Sequence, residues 1–182
     1  MSRVLFTSDL HFGHENLTRG LRGMSYQDSD YLIIKNWNDT VTKRDTVIVL
    51  GDITMEKSTS IPEYIKALNG NIKIVGGNHD TKRCVEAYNK LGISVLGCLM
   101  YKGFICTHIP VHPSILKDCR GNIHGHIHLQ GTIDGYGVYK PEPLEGRYYN
   151  VNTEFHNYTP VLFNKIEKYF IDYDTRTSKE TL

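Results

Sequence analysis

In the first half of the chain, short apolar runs rich in β-branched residues alternate with longer amphipathic stretches, and this order limits the possible folds most. Val4-Leu5-Phe6, Thr46–Leu50 and Ile72–Val75 read as buried strands. Asp28 to Val41 reads as a helix with Tyr31, Ile34, Trp37 and Val41 on one face and Asp28 or Ser29 as its cap. Pro62 to Leu68 reads as a short helix stopped at Asn69-Gly70, and Lys82 to Leu91 as one ending at Gly92. The order βαβαβα implies a parallel sheet with right-handed crossovers.

The second half is strand-rich. Ile93–Leu99, Tyr101–Thr107, Gly121–Gly125 and Tyr148–Val151 read as short strands, and Pro160–Phe170 fits a short helix or a strand pair equally. The stretch from about Gly131 to Gly146 is rich in glycine and proline and reads as a long loop; the polar tail after Asp172 is expected to fray. The expected architecture is α/β, with a second, mixed sheet packed against the first in a single domain over 1–182. A chain of 182 residues buries roughly 70% of its unfolded surface and needs no disulfide to hold a core. Cys84, Cys98, Cys106 and Cys119 form no C-x-x-C pair and read as buried, reduced thiols. Twenty-one Lys and Arg against twenty Asp and Glu leave a net charge of +1, so no bulk field points to a nucleic-acid or membrane partner. No apolar run is long enough to span a membrane, and the N-terminal apolar run is broken by Asp9 and His11; a cytoplasmic location is expected.

The nine histidines are not scattered. Apolar runs end in Ser8-Asp9-Leu10-His11, Gly51-Asp52, Gly76-Gly77-Asn78-His79-Asp80, Thr107-His108 and Gly125-His126-Ile127-His128. In open α/β sheets the functional crevice lies beyond the carboxyl ends of the strands, so these ends would converge on one rim. Each alone is an ordinary turn or cap; their joint occurrence points to a metal site. The donors are carboxylates, an amide oxygen and imidazoles, with no thiolate. That excludes a structural cysteine-type zinc site and suits a catalytic centre for borderline divalent ions. There are too many donors for one tetrahedral ion, so two ions about 3.5–4 Å apart, sharing a carboxylate, are expected.

Asp9-x-His11, Gly51-Asp52, Gly77-Asn78-His79-Asp80, His108 and Gly125-His126-x-His128 together resemble the calcineurin-like metallophosphoesterase signature. Asp9-Leu-His-Phe-Gly-His14-Glu-Asn16, with Trp37-Asn38 later, resembles the small cap-less members common in bacteria and their phages. The resemblance implies two mixed sheets packed as a sandwich and flanked by helices. It implies that Asp9, His11 and His128 hold one metal, that Asn78, His108 and His126 hold the other, and that Asp52 bridges them. It also implies that His79 sits beside the leaving group or a non-bridging oxygen, with Asp80 orienting its imidazole. Two divalent ions, two aspartates and a bridging hydroxide leave about +1 at the centre, suited to in-line attack on phosphorus. Manganese is the expected metal, with iron, zinc, nickel or magnesium compatible.

His14, Asn16, Arg22 and His112 are further candidates for substrate contact, Arg22 as a bidentate phosphate clamp; each has an ordinary turn, loop or solvated-surface alternative. His124, one residue before Gly125, is expected to be structural. The expected substrate is a small phosphodiester, nucleotide-like. The alternatives are a phosphomonoester of a nucleotide or protein, a nucleic acid cut by a nuclease, and a non-catalytic metal-binding scaffold. Only the segments 13–27 and 131–146 are long enough to shape a pocket.

Overall fold

A computed structural model of the chain describes residues 2–55, 60–129, 132–134, 137–139 and 146–180, the segments 132–134, 137–139 and 177–180 by their backbone alone. Strand β1 (Val4–Thr7) leads into a short helix α1 (Glu15–Leu17), a π turn (Thr18–Arg22) and helix α2 (Tyr26–Thr40). Then follow β2 (Thr46–Leu50), α3 (Ile61–Ala67), β3 (Asn71–Val75), α4 (Lys82–Lys90) and β4 (Val95–Leu96). The remainder is β5 (Leu99–Tyr101), β6 (Phe104–Cys106), β7 (Gly121–His124), β8 (Thr132–Asp134), β9 (Gly137–Tyr139), β10 (Tyr148–Asn150), β11 (Val161–Leu162) and α5 (Phe163–Glu180).

Two mixed sheets result. The first has the order β11-β1-β2-β3-β4, parallel except for β11. The second has the order β10-β7-β6-β5, with only β5 antiparallel. Alternation along the first sheet builds both cores, because successive side chains leave a strand on opposite faces. Leu5, Val47, Val49, Ile72 and Ile74 pack against Ile33, Trp37 and Val41 of the α2 region and Cys84, Ala87 and Tyr88 of α4. Phe6, Ile48, Leu50 and Val75 face the other way, onto Phe104, Cys106 and Ile123 of the second sheet and Phe163, Ile166 and Phe170 of α5. The sheets are therefore packed as a sandwich with helices outside, as the sequence implies.

Some local expectations are corrected. Helix α2 begins at Tyr26, capped by Ser25, whose hydroxyl accepts from Asp28 N and donates to Asp28 Oδ2. Its buried face carries Ile33, Trp37 and Val41, while Tyr31 is 69% exposed. The expected strand Ile93–Leu99 divides at Gly97-Cys98 into β4 of the first sheet and β5 of the second. The expected strand Tyr101–Thr107 is instead the end of a hairpin, its turn made by Lys102 (φ +48°) and Gly103 (φ +84°). Pro160–Phe170 supplies both β11 and the start of α5. Within the stretch read as a loop at 131–146, β8 and β9 pair antiparallel; its other residues apart from Gly146 lie outside the description. Helix α5 carries on past Asp172 to Glu180, and from Ile171 to Arg176 its side chains are exposed or half-buried. All four cysteines are free; Cys84 and Cys106 are buried, but Cys98 is exposed and Cys119 half-buried. Among the described residues no helix is long and apolar enough to cross a membrane.

Candidate metal centre

Beyond their last paired residues, β1 and β2 keep running side by side: Asp9 N donates to Gly51 O and His11 N to Asp52 O. The second sheet is stitched to them where Ser8 N donates to Val151 O and Thr153 N to Ser8 O. The ends of β1, β2, β3, β6 and β7 therefore meet. Asp9, His11, Asp52 and His126 all adopt left-handed backbone, with φ of +57°, +50°, +56° and +68°. Such strain in non-glycine residues gathers at functional sites, where the surrounding fold enforces it. Gly125 is required because a Cβ there would lie 2.5 Å from Asp9 Oδ2.

Potential ligand atoms of Asp9, His11 and His128 lie within 4.8 Å of one another, and so do those of Asp9, Asp52 and His108. His11 Nε2 is 3.8 Å from Asp9 Oδ1 and 3.7 Å from Asp52 Oδ2; His128 Nε2 is 3.9 Å from Asp9 Oδ1. His108 Nε2 lies 2.8 Å from Asn78 Oδ1 and 3.2 Å from Asp52 Oδ2. Its Nδ1 is 2.7 Å from Leu50 O, which can only accept, so Nδ1 carries the proton. The His126 ring stands 5.1 Å from the His108 ring, and the His126 backbone N donates to Asp9.

Both ring nitrogens of His11 are buried with no hydrogen-bond partner. A buried imidazole left unpaired is costly, and a cation would satisfy one of its nitrogens, Nε2, which faces Asp9 and Asp52. Burial also pushes His11 well below its ordinary value, which keeps the ring neutral as a ligand must be. Burial likewise pushes Asp9 up, although His108, His128 and Ser8 oppose it. Burial alone would lower His108 and raise Asp52. The hydrogen bond between them, nearby opposite charges and backbone hydrogen bonds together outweigh burial in both cases, lifting His108 to about 9 and holding Asp52 below the usual carboxylate range. The donor set, its burial and the orphaned His11 ring fit divalent cations.

A cavity of about 260 Å³ opens onto this cluster. His11, Asp52, Asn78, His79, His126 and His128 form one side; His14, Asn16, Leu17 and Leu21, from α1 and the π turn, form the other. The His79 backbone N donates to Asp52 Oδ1 at 2.9 Å, and its ring is 5.6 Å from that of His11.

A family model described as calcineurin-like phosphoesterase matches residues 2–177. The chain belongs to the calcineurin-like phosphoesterase family. It is therefore a metal-dependent phosphoester hydrolase, with candidate ligands in the cluster just described. An uncharacterized protein of Methanocaldococcus jannaschii is 31% identical over 175 residues, covering 92% of this chain and 91% of the relative. The gene 66 protein of Mycobacterium phage L5 is 39% identical over 88 residues, 44% of this chain and 41% of that one. Among solved structures, a protein of unknown function from Aquifex aeolicus aligns with TM-score 0.69 at 24% identity, covering 92% of this chain and 99% of the other. Pseudomonas putida nuclease MPE aligns with TM-score 0.51 at 18% identity, covering 79% and 81%.

Three expected contacts of this phosphoesterase are corrected by the geometry. Arg22 does not face the cavity as a phosphate clamp. Its guanidinium is buried and donates to Glu154 Oε1, Leu10 O, Ser29 Oγ and Asp9 O at 2.7–3.1 Å. His112 is exposed and caps the 3-10 turn Pro113–Asp118 through Ser114 N. Asp80 has no hydrogen bond to the His79 ring among the described residues. It accepts instead from Gly77 N, Asp52 N and Tyr88 OH, tying the loops after β2 and β3 together. His14 and Asn16 do line the cavity. His124 is buried on β7, its Nδ1 on Gly125 O, in keeping with a structural role.

The sequence reading missed Glu154, which accepts from both His128 Nδ1 and Arg22 Nε. A signal was present: Asn152-Thr153-Glu154 follows the strand at 148–151, making a sixth strand end with polar residues. Ser8, which donates to Asp9 Oδ2 at 2.5 Å, lies within the first polar strand end, Ser8-Asp9-Leu10-His11, but carried no role of its own there.

Proposed function

We propose that this phosphoesterase hydrolyses a small, nucleotide-like phosphodiester at a dinuclear centre. Asp9, His11 and His128 would hold one cation, Asn78, His108 and His126 the other, with Asp52 between them. The proximity of Asp9, His11 and His128, that of Asp9, Asp52 and His108, and the unpaired His11 ring support the core of that assignment; Asn78 Oδ1, 2.8 Å from His108 Nε2, and the His126 ring, 5.1 Å from the His108 ring, extend it. Asp9 reaches both groups, which supports a compact pair of ions. When bound, the cations, manganese first among the compatible ions, supply Lewis acidity to a phosphoryl oxygen and acidify water.

The protein's own residues do the rest. Asp52 accepts from His79 N and so fixes the His79 backbone against the centre. The His79 ring, at the cavity, is suited to give a proton to the departing alkoxide. Asn16, Leu17 and Leu21 form a mixed amide and apolar wall, fit for the organic part of a substrate.

The preference for a diester rests on one observation: no Lys or Arg is among the described residues lining the cavity. A monoester carries a second negative charge near neutral pH, and desolvating it calls for an added cationic side chain. Arg22, which could have served, is committed to Glu154 and backbone carbonyls. With Mn²⁺ present, bis(p-nitrophenyl) phosphate is expected to be turned over with a kcat/KM at least roughly tenfold above that of p-nitrophenyl phosphate. A faster monoester overturns the diester reading, and cleavage of oligonucleotides in preference to both moves the substrate to nucleic acid.

A further inference from the structure

We propose that Glu154, held in place by Arg22, is the positioning residue for His128: it accepts the Nδ1–H hydrogen bond, keeping the ring proton on Nδ1, and leaves Nε2 free to ligate. The proposal rests on the reading of His128 as a metal ligand. Glu154 Oε1 lies 2.8 Å from His128 Nδ1 and 3.1 Å from Arg22 Nε, and Oε2 accepts from Leu129 N at 3.3 Å. The ion pair is buried: the Arg22 side chain is 0% exposed and that of Glu154 3%. An ionised carboxylate can only accept, so the imidazole beside it must present N–H at Nδ1. His128 Nε2 is then the lone-pair nitrogen, and it is the atom that faces Asp9. A carboxylate behind a ligating histidine fixes its ring and raises its basicity.

Arg22 does more than neutralise Glu154. It also donates to Asp9 O at 2.7 Å and to Leu10 O at 3.0 Å. One guanidinium thus sets the Asp9 loop and, through Glu154, the His128 ring relative to each other. One contact competes: Asn152 Nδ2 is 3.2 Å from His128 Nδ1, and if it donated there the ring proton would sit on Nε2 and block ligation. Two facts weigh against it. The Glu154 contact is shorter, and Asn152 Nδ2 also lies 3.4 Å from Ile127 O, a bond it can make instead.

The direct test is nitrogen-15 NMR of histidine-labelled full-length protein loaded with Zn²⁺. The His128 proton is expected on Nδ1; a proton on Nε2 overturns the proposal. The second test titrates Mn²⁺ into metal-stripped protein by calorimetry. Glu154→Gln is expected to weaken one of the two binding steps by ~10–100-fold and leave the other at its wild-type value. Arg22→Met/Glu154→Gln removes the pair together and strands no buried charge, so it serves if the single variant does not fold. A folded variant that binds both ions as tightly as wild type overturns the proposal. His128→Ala separates the two levels of the argument: if it too binds both ions normally, the ligand assignment of His128 has failed, not the role of Glu154.

Discussion

The two halves of the centre are braced by opposite means. In the half built on Asp9, His11 and His128, the back of the histidine rests on a buried ion pair, Arg22–Glu154, whose members are 132 residues apart. In the half proposed for Asn78, His108 and His126, the back of His108 rests on a backbone carbonyl, Leu50 O. There Asp80 fastens the loops with bonds from two backbone N–H groups and Tyr88 OH. Removing one member of a buried ion pair leaves an uncompensated charge and costs about 3–5 kcal/mol, whereas losing a neutral donor costs about 1 kcal/mol. The first half is therefore the brittle one, and the second is tolerant.

Asp52 stands between the halves, and its loss should have the largest effect. Asp52→Asn is expected to lower kcat/KM by ~10⁴-fold or more, the several kcal/mol of charge stabilisation that the cations provide, measured on a chromogenic diester with Mn²⁺. A residual rate near wild type would leave the two halves independent of any shared carboxylate. Next, His79→Asn should lower kcat by ~10²–10⁴-fold with metal content unchanged. An equal loss of metal would make His79 a ligand of one half instead of the proton donor. The last pair sets the halves directly against each other in urea unfolding of the metal-free protein. Arg22→Met should cost about 3–5 kcal/mol and Tyr88→Phe about 1 kcal/mol. Equal losses would erase the contrast.

The same contrast explains what could be read before the fold was known. The tolerant half is written locally: Gly77, Asn78, His79 and Asp80 are contiguous, and Gly51-Asp52 follows a plainly apolar run. The ligand candidates themselves lie at strand ends, where the topology brings them together, so hydrophobic patterning alone points to their meeting place. The brittle half hides its support. Nothing in the spacing joins Arg22 to Glu154, so the arginine reads as a solvated or phosphate-binding side chain until its burial is known. Asp80 misled for a different reason: adjacency to His79 along the chain does not make its carboxylate face that ring, and two unpaired N–H groups, of Gly77 and Asp52, took it instead. The segment at 13–27 did prove to shape the pocket, through Leu17 and Leu21. Its π turn lay beyond reach, because one extra residue per turn leaves no periodic mark over so short a stretch.

The proposed chemistry requires two cations seated in this cluster. Metal analysis of protein loaded with Mn²⁺ and then freed of excess ion tests this most directly. The expected result is close to two ions per chain, with turnover abolished by chelation and restored by reloading. A chain that retains none, or one that hydrolyses its ester unchanged after chelation, would contradict the account.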